Sequence, residues 1–306
     1  MTARRRQLHY LVTVAEEGQI TSAARKLHLA QPALSQAISQ LEAELGIELL
    51  ERHPRGVTLT PAGETFLVKA RRALAAEIDA AQTAQSLARA ARGAIAIGFV
   101  GPPPAISTPA LFSAFAERHP EAQISYQDLP FPHGATRDWL ADVDIVLCHV
   151  PLSEEGLCML TVRVEPRAVI VPVTHRLAGR EALNTAEVLD EAFVSYHPDV
   201  QPDWAAFHTL EDERGEATAE LTADHALTAL QMLGIMTSGR ALTALPELDA
   251  RLARQMVPSI EAIPLLDAAP AEVSLVWRED TRNPLVVELV ELAREPLAGT
   301  GVADGV

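Results

Sequence analysis

Short polar side chains recur along one stretch of the chain, LHLAQPALSQAISQLEAELG, which covers residues 27–46. Gln31, Ser35, Gln36 and Ser39 place amides and hydroxyls at helical spacing, with no charged residue between them. A glutamine amide can pair with an adenine edge through two hydrogen bonds, and a serine hydroxyl can contact a base or a phosphate. The pattern therefore favours a helix face that contacts bases, and a solvated face without a role is the alternative.

The residues around this stretch predict three short helices, of which the second and third are joined by a short turn. Thr21 is expected to cap the second helix, and Pro32 fits the first turn of the third because a missing N–H costs nothing there. Gly18 and Gly46 are expected to end the first and third helices. Apolar residues at helical spacing predict the buried faces: Leu8, Leu11, Val12 and Ala15, then Ala23, Ala24 and Leu27, then Leu34, Ile38, Leu41 and Leu45.

The segment after the third helix predicts a small β-hairpin. The alternating stretches ELLER and GVTLT flank the turn HPRG. A hairpin that follows a helix-turn-helix forms a wing, and Arg52 and Arg55 at its tip are placed to contact phosphate or the minor groove. The stretch TPAGE then begins a long helix, with Thr60 as its cap and Pro61 as its first residue.

The charge of the chain is unevenly distributed. The 306 residues carry a net charge of −16, yet residues 1–92 hold 12 Lys and Arg against 9 Asp and Glu, a net of +3. The remainder holds 13 against 32, a net of −19. A basic module joined to an acidic body is typical of a polyanion-binding head on a globular domain, although small N-terminal modules are often mildly basic. Seven basic side chains are candidates for phosphate contacts: Arg4, Arg5, Arg6, Arg25, Lys26, Arg52 and Arg55.

The helix that begins at Pro61 is predicted to extend to about Arg92, because it contains no further proline and no glycine after Gly63. About 30 residues make roughly 45 Å of helix, which is long for so small a domain. Its apolar residues recur at steps of three and four, which favours a shallow coiled-coil seam between two subunits over packing within one domain. These residues are Leu67, Ala70, Leu74, Ile78, Ala81, Ala84, Ala88 and Ala91.

From Gly93 onwards, apolar strands alternate with helical stretches. This alternation predicts an α/β class in which parallel sheets are covered by helices, and about 200 residues suit two lobes. The predicted strands are AIAIGFV, QISYQ, VDIVLCHV, RAVIVPV, AFVSYH and VSLVWR. The predicted helices cover residues 107–118, 185–189, 226–233 and 284–294.

Taken together, the N-terminal motifs resemble the winged helix-turn-helix of the LysR-type transcriptional regulators over about the first 65 residues. The matching positions are Ala23-Ala24, Leu27, Gln31-Pro32-Ala33-Leu34-Ser35, Ile38, Leu41-Glu42, Leu45-Gly46, Leu49, Arg52, Arg55 and LTPAG. The chain departs from the family at Ala30, where a Ser or Thr usually precedes Gln-Pro, so a capping hydroxyl is absent. The resemblance implies DNA contacts by Thr21, Arg25, Lys26, Gln31, Pro32, Ala33, Ser35, Gln36, Ser39, Arg52 and Arg55.

The resemblance also implies the partners of the chain. Members of the family pair through the linker helix, so a two-fold dimer would place two recognition helices on successive major grooves of an inverted-repeat site in double-stranded DNA. Tetramers are common in the family, and RNA polymerase is a further candidate partner. We expect a bacterial, cytoplasmic, nucleoid-associated protein without a membrane partner, because the two cysteines form no disulfide framework and no segment approaches about 18 uninterrupted apolar residues.

The acidic body resembles, at lower identity, the effector domain of the same family. The resemblance depends on the stretches IAIGFV, FAERHPEAQIS, DVDIVLCHV, VIVPVTHRLAG, LGIMTSGRALTALPE and VSLVWRED. It implies two lobes joined by two crossing strands, as in periplasmic binding proteins, with a small-molecule effector, an organic acid or an aromatic compound, in the cleft between them. The implied domains are 1–60 for the winged helix-turn-helix, 61–92 for the linker helix, 93–163 with 268–306 for the first lobe, and 164–267 for the second.

Loops between strands and helices would line this cleft. Carried over position by position, the resemblance implies effector contacts at Gly101, Pro102, Phe131, His133, His149, Tyr196, His197, Thr237 and Ser238. Many members have Ser or Thr near Pro102, where the hydroxyl and the N–H bind a carboxylate at a helix N-terminus. Here GPPPA removes three consecutive N–H donors, so the ligand is held through a histidine instead, is less anionic, or is absent.

Other classes of function are less favoured. An enzyme is the main rival, but the chain has no G-x-S-x-G, P-loop, H-E-x-x-H or G-x-G-x-x-G after a strand, and its ten histidines show no metal-ligand spacing. We therefore expect no cofactor and no metal site. Two rivals within DNA binding stay open: a regulator that needs no ligand, and a thiol-redox sensor that uses Cys148 and Cys158. The peroxide-sensing members have both cysteines in the second lobe, whereas these two would lie in the first lobe or at the crossover.

Overall fold

The computed structural model describes residues 3–54, 56–134, 139–150, 156–214, 220–239 and 241–295. The chain forms two compact units, Met1–Ala81 and Gln82–Val306. The first unit contains α1 (Ala3–Glu17), α2 (Ile20–Lys26), α3 (Gln31–Leu45), β1 (Leu50–His53), β2 (Gly56–Leu59) and most of α4 (Pro61–Ala90). None of the helices formed by the described residues combines the length and apolarity that crossing a membrane requires.

The first unit is a winged helix-turn-helix, as the sequence predicts. Pro32 lies in the first turn of α3, and Gly46 ends this helix in the left-handed conformation with φ of 70°. The strands β1 and β2 pair antiparallel from Leu50 with Leu59 to His53 with Gly56, which forms the predicted hairpin. The core between these elements contains Leu11, Val14, Ala23, Ala24, Leu34, Ile38, Leu41, Leu49, Leu50, Val57 and Leu67.

Two details of the first unit differ from the prediction. Thr21 does not cap α2, because the helix begins at Ile20 and the extended residue before it is Gln19. In α1 the fully buried apolar residues are Leu11 and Val14, so the buried face is rotated relative to the predicted one. The rotation could not be predicted from apolar residues alone, because two polar residues of α1 are buried as well.

Two glycines allow close approaches that hold the wing in place. A Cβ atom on Gly56 would lie 2.4 Å from the carbonyl oxygen of Gly18, which also accepts a hydrogen bond of 2.8 Å from Val57 N. A Cβ atom on Gly63 would lie 2.0 Å from the carbonyl oxygen of Leu49. Both distances are too short for any side chain, so the glycine of the LTPAG motif is required by the packing of α4 on the wing.

The second unit contains the end of α4 and a series of strands and helices. In chain order these are β3 (Ala94–Phe99), α5 (Pro104–Ser107), α6 (Pro109–Arg118), β4 (Gln123–Asp128), β5 (Ile145–Val150), β6 (Leu157–Glu165), β7 (Arg167–Pro172), a 3-10 turn (Thr185–Glu187), β8 (Ala192–Tyr196), α7 (Pro202–Thr209), α8 (Glu211–Arg214), β9 (Glu220–Ala226), α9 (Ala229–Thr237), β10 (Thr243–Pro246), α10 (Glu247–Met256), β11 (Ile260–Pro264), β12 (Ala271–Arg278) and α11 (Pro284–Arg294). The six predicted strands are confirmed, which supports the α/β class.

Five strands form the first sheet of this unit, in the order β4-β3-β5-β12-β6. The pairs of β3 with β4 and with β5 are parallel, as predicted, whereas β12 is antiparallel to both β5 and β6. The sheet is therefore mixed rather than parallel. Side chains of β3, β5 and β12 form an apolar core with side chains of α6 and α11. The buried residues of this core are Ile95, Ile97, Leu111, Phe112, Phe115, Ile145, Leu147, Val273, Leu275, Leu285, Val286, Leu289, Val290 and Leu292.

A second group of strands lies between β6 and β12 in the chain. The strands β10, β7 and β11 form an antiparallel sheet, and β8 and β9 form a parallel pair. The chain passes from the first sheet to this group between β6 and β7 and returns between β11 and β12. The helix predicted from Ala226 begins only at Ala229, because Ala226 ends β9 and the side chain of Thr228 caps the helix by accepting from Gln231 N.

The other predicted helices differ in how closely they match. The helix predicted at 284–294 is confirmed as α11. The one predicted at 107–118 is divided at Thr108 into α5 and α6, and the one at 185–189 forms a single 3-10 turn. The helices α7, α8 and α10 and the strands β6, β9, β10 and β11 were not predicted. Short elements such as β10 show little periodicity, whereas the sequence of α10 has a helical pattern.

Candidate nucleic-acid interface and ligand cavity

The polar face of α3 is exposed, as contact with bases requires. Gln31, Gln36 and Ser39 are exposed along this helix, and Pro32 and Ala33 are exposed in its first turn. The opposite face of α3 is packed into the core of the first unit. The helix therefore presents amide and hydroxyl groups outwards from a rigid support.

Arg52 connects the wing to this face of α3. It lies in β1 opposite Val57, and its guanidinium donates from Nη1 to Ser35 Oγ at 3.1 Å and from Nη2 to Ser39 Oγ at 3.2 Å. The prediction that Arg52 lies at the tip of the wing is therefore wrong, because the hairpin register places it one residue pair before the turn. Arg55, the second residue predicted at the tip, lies outside the described residues.

The predicted DNA contacts on α2 are exposed at Thr21, Arg25 and Lys26. Of the two cations, Lys26 is paired with a carboxylate, and its Nζ lies 3.0 Å from Glu17 Oε1. Ser22 Oγ donates to the other oxygen of Glu17 at 2.5 Å. The hydrogen bond from Ser22, followed by the one from Lys26, lowers the pKa of Glu17, so this carboxylate is ionised at neutral pH and balances the charge of Lys26.

Two of the three consecutive arginines in α1 form ion pairs within the first unit. Arg4 Nη1 lies 3.0 Å from Glu44 Oε2, and Arg5 Nε lies 2.7 Å from Glu77 Oε2. Arg6 is exposed. The basic surface predicted from composition is therefore partly neutralised by carboxylates of the same unit, which reduces the number of cations left for phosphate contacts.

The second unit contains a cavity of about 530 Å³, which is in the usual range for small-molecule sites. Four of the predicted effector contacts line it: Gly101, Pro102, Phe131 and His149. Most of the other lining residues are apolar and come from the end of β3, from α5, α9, β10 and α10. They are Phe99, Val100, Pro103, Ile106, Ala229, Leu230, Met232, Leu233, Leu245, Leu252, Ala253 and Met256.

Three predicted contacts that follow strands lie outside this lining. His133 Nδ1 is hydrogen-bonded to the carbonyl oxygen of Phe131 at 2.8 Å, so its ring supports the backbone of a lining residue. The hydroxyl of Tyr196 is buried and lies 2.9 Å from Thr243 Oγ1, and its ring packs against Phe131. His197 is exposed. Two of the three residues thus support the cavity wall from behind.

The two hydroxyl residues predicted at the end of α9 also lie outside the lining. Thr237 Oγ1 donates to the carbonyl oxygen of Gly234 at 2.8 Å, and Ser238 Oγ donates to that of Ile235 at 2.6 Å. These bonds satisfy carbonyl groups in the last turn of the helix. The cavity is lined by the first half of α9, whereas Thr237 and Ser238 lie at the other end of this helix.

Two histidines form a polar part of the cavity wall. Their Nε2 atoms, in His149 and His208, are 3.1 Å apart, and His208 Nδ1 lies 2.8 Å from the carbonyl oxygen of Ala244. Because a carbonyl oxygen only accepts, His208 Nδ1 carries the hydrogen, and His208 Nε2 accepts from His149 Nε2. His149 Nδ1 is then a buried acceptor, and it has no partner among the described residues. The His149 ring also stacks on Trp204, with 3.9 Å between centroids.

Burial keeps both rings neutral at neutral pH. It lowers the pKa of His208 to about 3, and it lowers the pKa of His149 well below its ordinary value. The nearby charge of Arg167 acts in the same direction on both histidines. The assignment of His149 Nδ1 as an acceptor therefore holds over the physiological pH range.

A second polar group adjoins the cavity. Arg163 Nη2 lies 2.9 Å from Glu165 Oε1 and 4.0 Å from Asp249 Oδ1, and its Nη1 donates to the carbonyl oxygen of Ser107 at 2.5 Å. Burial, followed by the charge of Glu165, raises the pKa of Asp249 to about 7, while Arg163 opposes this shift. Asp249 and His149 line both the main cavity and a small adjoining one of about 10 Å³, so the two polar groups meet there.

Two polar residues of the cavity, Asp249 and His208, were not predicted from the sequence. Asp249 lies in the first turn of α10, whose sequence ELDARLARQM has apolar and charged residues at helical spacing. That pattern could have identified the helix, although not its place beside the cavity. Nothing in the stretch AAFHTL distinguishes His208 from a surface histidine.

The two cysteines do not form a thiol pair in this fold. Both are free, with Cys148 buried in β5 opposite Ser274 and Cys158 in β6 opposite Trp277. Because β12 lies between β5 and β6, the two cysteines are separated by two strand spacings of about 4.8 Å each, beyond the reach of a disulfide. Burial raises the pKa of the Cys148 thiol, which keeps it protonated. No cluster of His, Cys, Asp and Glu suited to a metal occurs within the described ranges.

A winged helix-turn-helix with an exposed polar recognition face, joined to an α/β unit with a ligand-sized cavity, defines a DNA-binding regulator with an effector-binding domain. Residues 5–64 match the family model for the bacterial regulatory helix-turn-helix protein of the lysR family, and residues 88–298 match the LysR substrate binding domain. The chain belongs to the LysR family of transcriptional regulators.

Curated relatives and solved structures agree with this family. The chain is 29% identical to the transcriptional regulator AlsR of Bacillus subtilis (strain 168), over 94% of each chain. It is 30% identical to the uncharacterised regulator YnfL of Escherichia coli (strain K12), over 90% of this chain and 93% of the relative. The crystal structure of CbnR, a LysR family transcriptional regulator, matches with a TM-score of 0.51 at 25% identity, covering 96% of this chain and 100% of that chain. A mutant of full-length BenM matches with a TM-score of 0.51 at 26% identity, covering 96% of this chain and 95% of that chain.

Proposed function

We propose that the chain binds an operator in double-stranded DNA sequence-specifically and that a small molecule in the cavity modulates this binding. The exposed polar face of α3 carries the proposal. Gln31, Gln36 and Ser39 offer amide and hydroxyl groups along one helix face with no charged side chain between them. Such groups contact base edges in the major groove, whereas cations mainly contact phosphates.

The phosphate contacts in this proposal come from residues on either side of α3. Arg25 and Lys26 on α2 and Arg52 on the wing are exposed, and we assign Arg55 to the same role from its place in the hairpin turn. Thr21, Pro32 and Ala33 are assigned to the surface that approaches the backbone. Arg52 has a second task, because its two hydrogen bonds to Ser35 and Ser39 fix their hydroxyl groups. A guanidinium with five donors can keep these bonds and still contact a phosphate.

We assign dimer formation to α4. Its small apolar residues Ala81, Ala84 and Ala88 are exposed, and Leu87 is 47% exposed. A second copy of the same helix would cover them. A two-fold dimer matches an inverted-repeat operator, and pairing of dimers would give a tetramer. We propose the domain bounds 1–60 for the winged helix-turn-helix, 61–92 for the linker helix, 93–163 with 268–306 for the first lobe, and 164–267 for the second. We also propose a location at the cytoplasmic nucleoid and RNA polymerase as a partner.

The end of α4 offers a route by which the cavity influences the DNA-binding heads. Asp144, a buried residue just before β5, accepts hydrogen bonds from Ser86 Oγ at 2.6 Å and from Arg89 Nε at 2.8 Å. It also accepts from the backbone N–H of Ala96 in β3 at 2.9 Å. The end of α4 is thus held to the two strands whose extensions reach the cavity, so a shift of these strands would move the helix.

The proposal is tested by a gel shift with the purified chain and the DNA upstream of its own gene, at physiological salt with excess competitor DNA. We expect a retarded band that persists while the competitor is in excess, because base contacts add to the salt-sensitive phosphate contacts. The matched control is the same fragment with its inverted repeat scrambled. A band of equal strength on the scrambled fragment would contradict sequence-specific binding.

A further inference from the structure

We propose that the cavity of the second unit binds an apolar amine, with the ammonium group between Asp249 and His149 and the hydrocarbon part against the apolar wall. This inference rests on the proposed function, because it names the class of molecule that acts as effector. It departs from an acidic effector, and four observations support it.

The loop after β3 has few donors for an anion. Pro102, Pro103 and Pro104 have no N–H group, and the N–H groups of Ile106 and Ser107 donate to the carbonyl oxygen of Pro103 at 2.8 and 3.0 Å. An anion is usually bound at a helix start by free N–H groups. The start of α5 therefore cannot supply such a set of N–H donors to a carboxylate.

The charges around the cavity favour a cation. Among the described lining residues there is no Lys or Arg, whereas Asp128 and Asp249 both line the cavity. The nearest guanidinium, Arg163, is 2.9 Å from Glu165, and the second oxygen of Glu165 accepts from Leu248 N at the start of α10 at 3.3 Å. The group of two carboxyls and one guanidinium therefore has a negative charge that a bound ammonium would balance.

Two acceptors lie at this end, and one donor, Arg163 Nε, lines only the small cavity beside it. His149 is 4% exposed, and its Nδ1 atom has no partner among the described residues. The carboxylate of Asp249 is a second acceptor, and both residues line the main cavity and the small one beside it. An ammonium group has three donors and no acceptor, so it matches this pair, whereas a carboxylate would add only further acceptors.

The remaining wall fits a hydrocarbon. Leu230, Met256 and Ile106 are 75%, 69% and 55% exposed, and all three line this one cavity, so they form an exposed apolar patch. Their exposure would fall when an apolar group fills the space between them. A ligand with a small cationic end and a larger apolar part therefore satisfies both parts of the cavity.

The test compares matched amines and carboxylates. Isothermal titration calorimetry at pH 8, where both the amines and Asp249 are charged, measures 2-phenylethylamine against 3-phenylpropionate and hexylamine against heptanoate. We expect at least one amine to bind about tenfold more tightly than its matched carboxylate, because the amine gains a charge-assisted hydrogen bond that the carboxylate cannot form. Equal or tighter binding of the carboxylates, or no binding of either amine at millimolar concentration, would overturn the proposal.

Variants locate the ammonium group. Asp249→Asn should weaken amine binding about tenfold, whereas Asp142→Asn, which removes an exposed carboxylate away from the cavity, should not change it. Since Asp249→Asn could alter folding, Pro103→Ser provides an independent variant that restores an N–H donor and a hydroxyl, and it should strengthen carboxylate binding. An amine affinity unchanged by Asp249→Asn would overturn the placement.

The same preparations distinguish this proposal from the proposed function. A carboxylate that binds the cavity and changes the gel shift would refute the amine and leave the effector-gated regulator intact. An amine that binds the cavity without any change in the gel shift would support the ligand class and refute its role as effector. If the unsubstituted chain shows no sequence-specific DNA binding in the gel shift, the proposed function is refuted, and the calorimetric result on the ligand class still stands.

Discussion

The DNA-facing surface of the first unit and the cavity of the second differ in how the chain builds them. The proposed DNA contacts lie within 35 consecutive residues, 21–55, mostly on one helix and the hairpin after it. The cavity combines side chains from several segments between Phe99 and Met256. The first site is exposed and supported from one side, whereas the second is a partly open cavity with several lining residues that belong to the apolar core. Substitutions should therefore affect binding alone in the first unit, and both stability and binding in the second.

The largest effect is expected in the cavity wall. His208→Ala should lower the free energy of unfolding by about 3 kcal/mol, because it opens a space in the core and leaves the Ala244 carbonyl and His149 without their partner. Urea unfolding followed by tryptophan fluorescence measures this, since all three tryptophans lie in the second unit. The control is His197→Ala at an exposed position, with less than about 1 kcal/mol expected. Equal losses in both variants would show that the wall is not a stability element.

The buried histidines and Asp249 should change the stability of the fold in opposite directions as the pH falls. Folding lowers the pKa of His149 and of His208, so the stability they contribute is present above pH 6.5 and is lost as the pH falls. For His208, whose pKa is lowered to about 3, the loss between pH 7 and 5 is about 2 kcal/mol. Folding raises the pKa of Asp249 from 3.8 to about 7, which has the opposite sign, because the folded state binds a proton that the unfolded state does not. We therefore expect His208→Gln to flatten the profile and Asp249→Asn to steepen it.

Urea unfolding at pH 7, 6 and 5 measures this prediction. The free energy of unfolding of the unsubstituted chain should fall only moderately from pH 7 to pH 5, because the two histidines lower it while Asp249 raises it. Parallel profiles for the unsubstituted chain and both variants would contradict the burial of these groups.

In the first unit the expected change is in specificity. Gln31→Ala should reduce the preference for the operator over a scrambled duplex by ~1 to 3 kcal/mol if one bidentate pair with a base is removed. The melting temperature should stay unchanged, because Gln31 is exposed. Gln40→Ala is the matched control, since this exposed amide on the same helix is already hydrogen-bonded to Glu44. An equal loss on both duplexes would show that Gln31 only positions the protein.

The smallest effect per residue is expected at the wing. Arg52→Ala combined with Arg55→Ala should weaken binding to all DNA and reduce the salt dependence of log K by about 1 for each phosphate that the wing no longer binds. Gel shifts at several salt concentrations measure the slope. The control is Arg4→Ala, because Arg4 forms an ion pair with Glu44 within the unit. An unchanged slope in the double variant would remove the wing from the phosphate-binding surface.

The difference between the two sites explains what the sequence could predict. The face of α3 was predictable because Leu34, Ile38 and Leu41 mark its buried side at helical spacing, which leaves the polar residues on the other. The apolar strands of the second unit were predictable for a similar reason. Within the DNA-facing surface, the bonds from Arg52 to the serines of α3 were not, because they depend on the twist and register of a hairpin rather than on spacing.

The polar end of the cavity could not be predicted from local patterns. His149 and His208 are separated by 59 residues and meet only because β5 and α7 are brought together by the strands between them. Asp249 gains its raised pKa from burial and from Glu165, neither of which a sequence shows. Gly101, Pro102, Phe131 and His149, which the family resemblance implied as effector contacts, line the cavity, and the first two follow a parallel strand, whose end usually faces a ligand site. Tertiary packing, rather than residue type, decides the other members of the site.

The central claim is that α3 selects particular DNA sequences, and sequencing of genomic fragments retained by the purified chain tests it most directly. Sheared genomic DNA is bound at physiological salt, and the variant with Gln31→Ala and Gln36→Ala is treated in parallel. We predict that the unsubstituted chain retains a small set of fragments that share an inverted repeat and that the variant loses this enrichment. Uniform recovery of fragments by the unsubstituted chain, or the same enriched set with the variant, would contradict the claim.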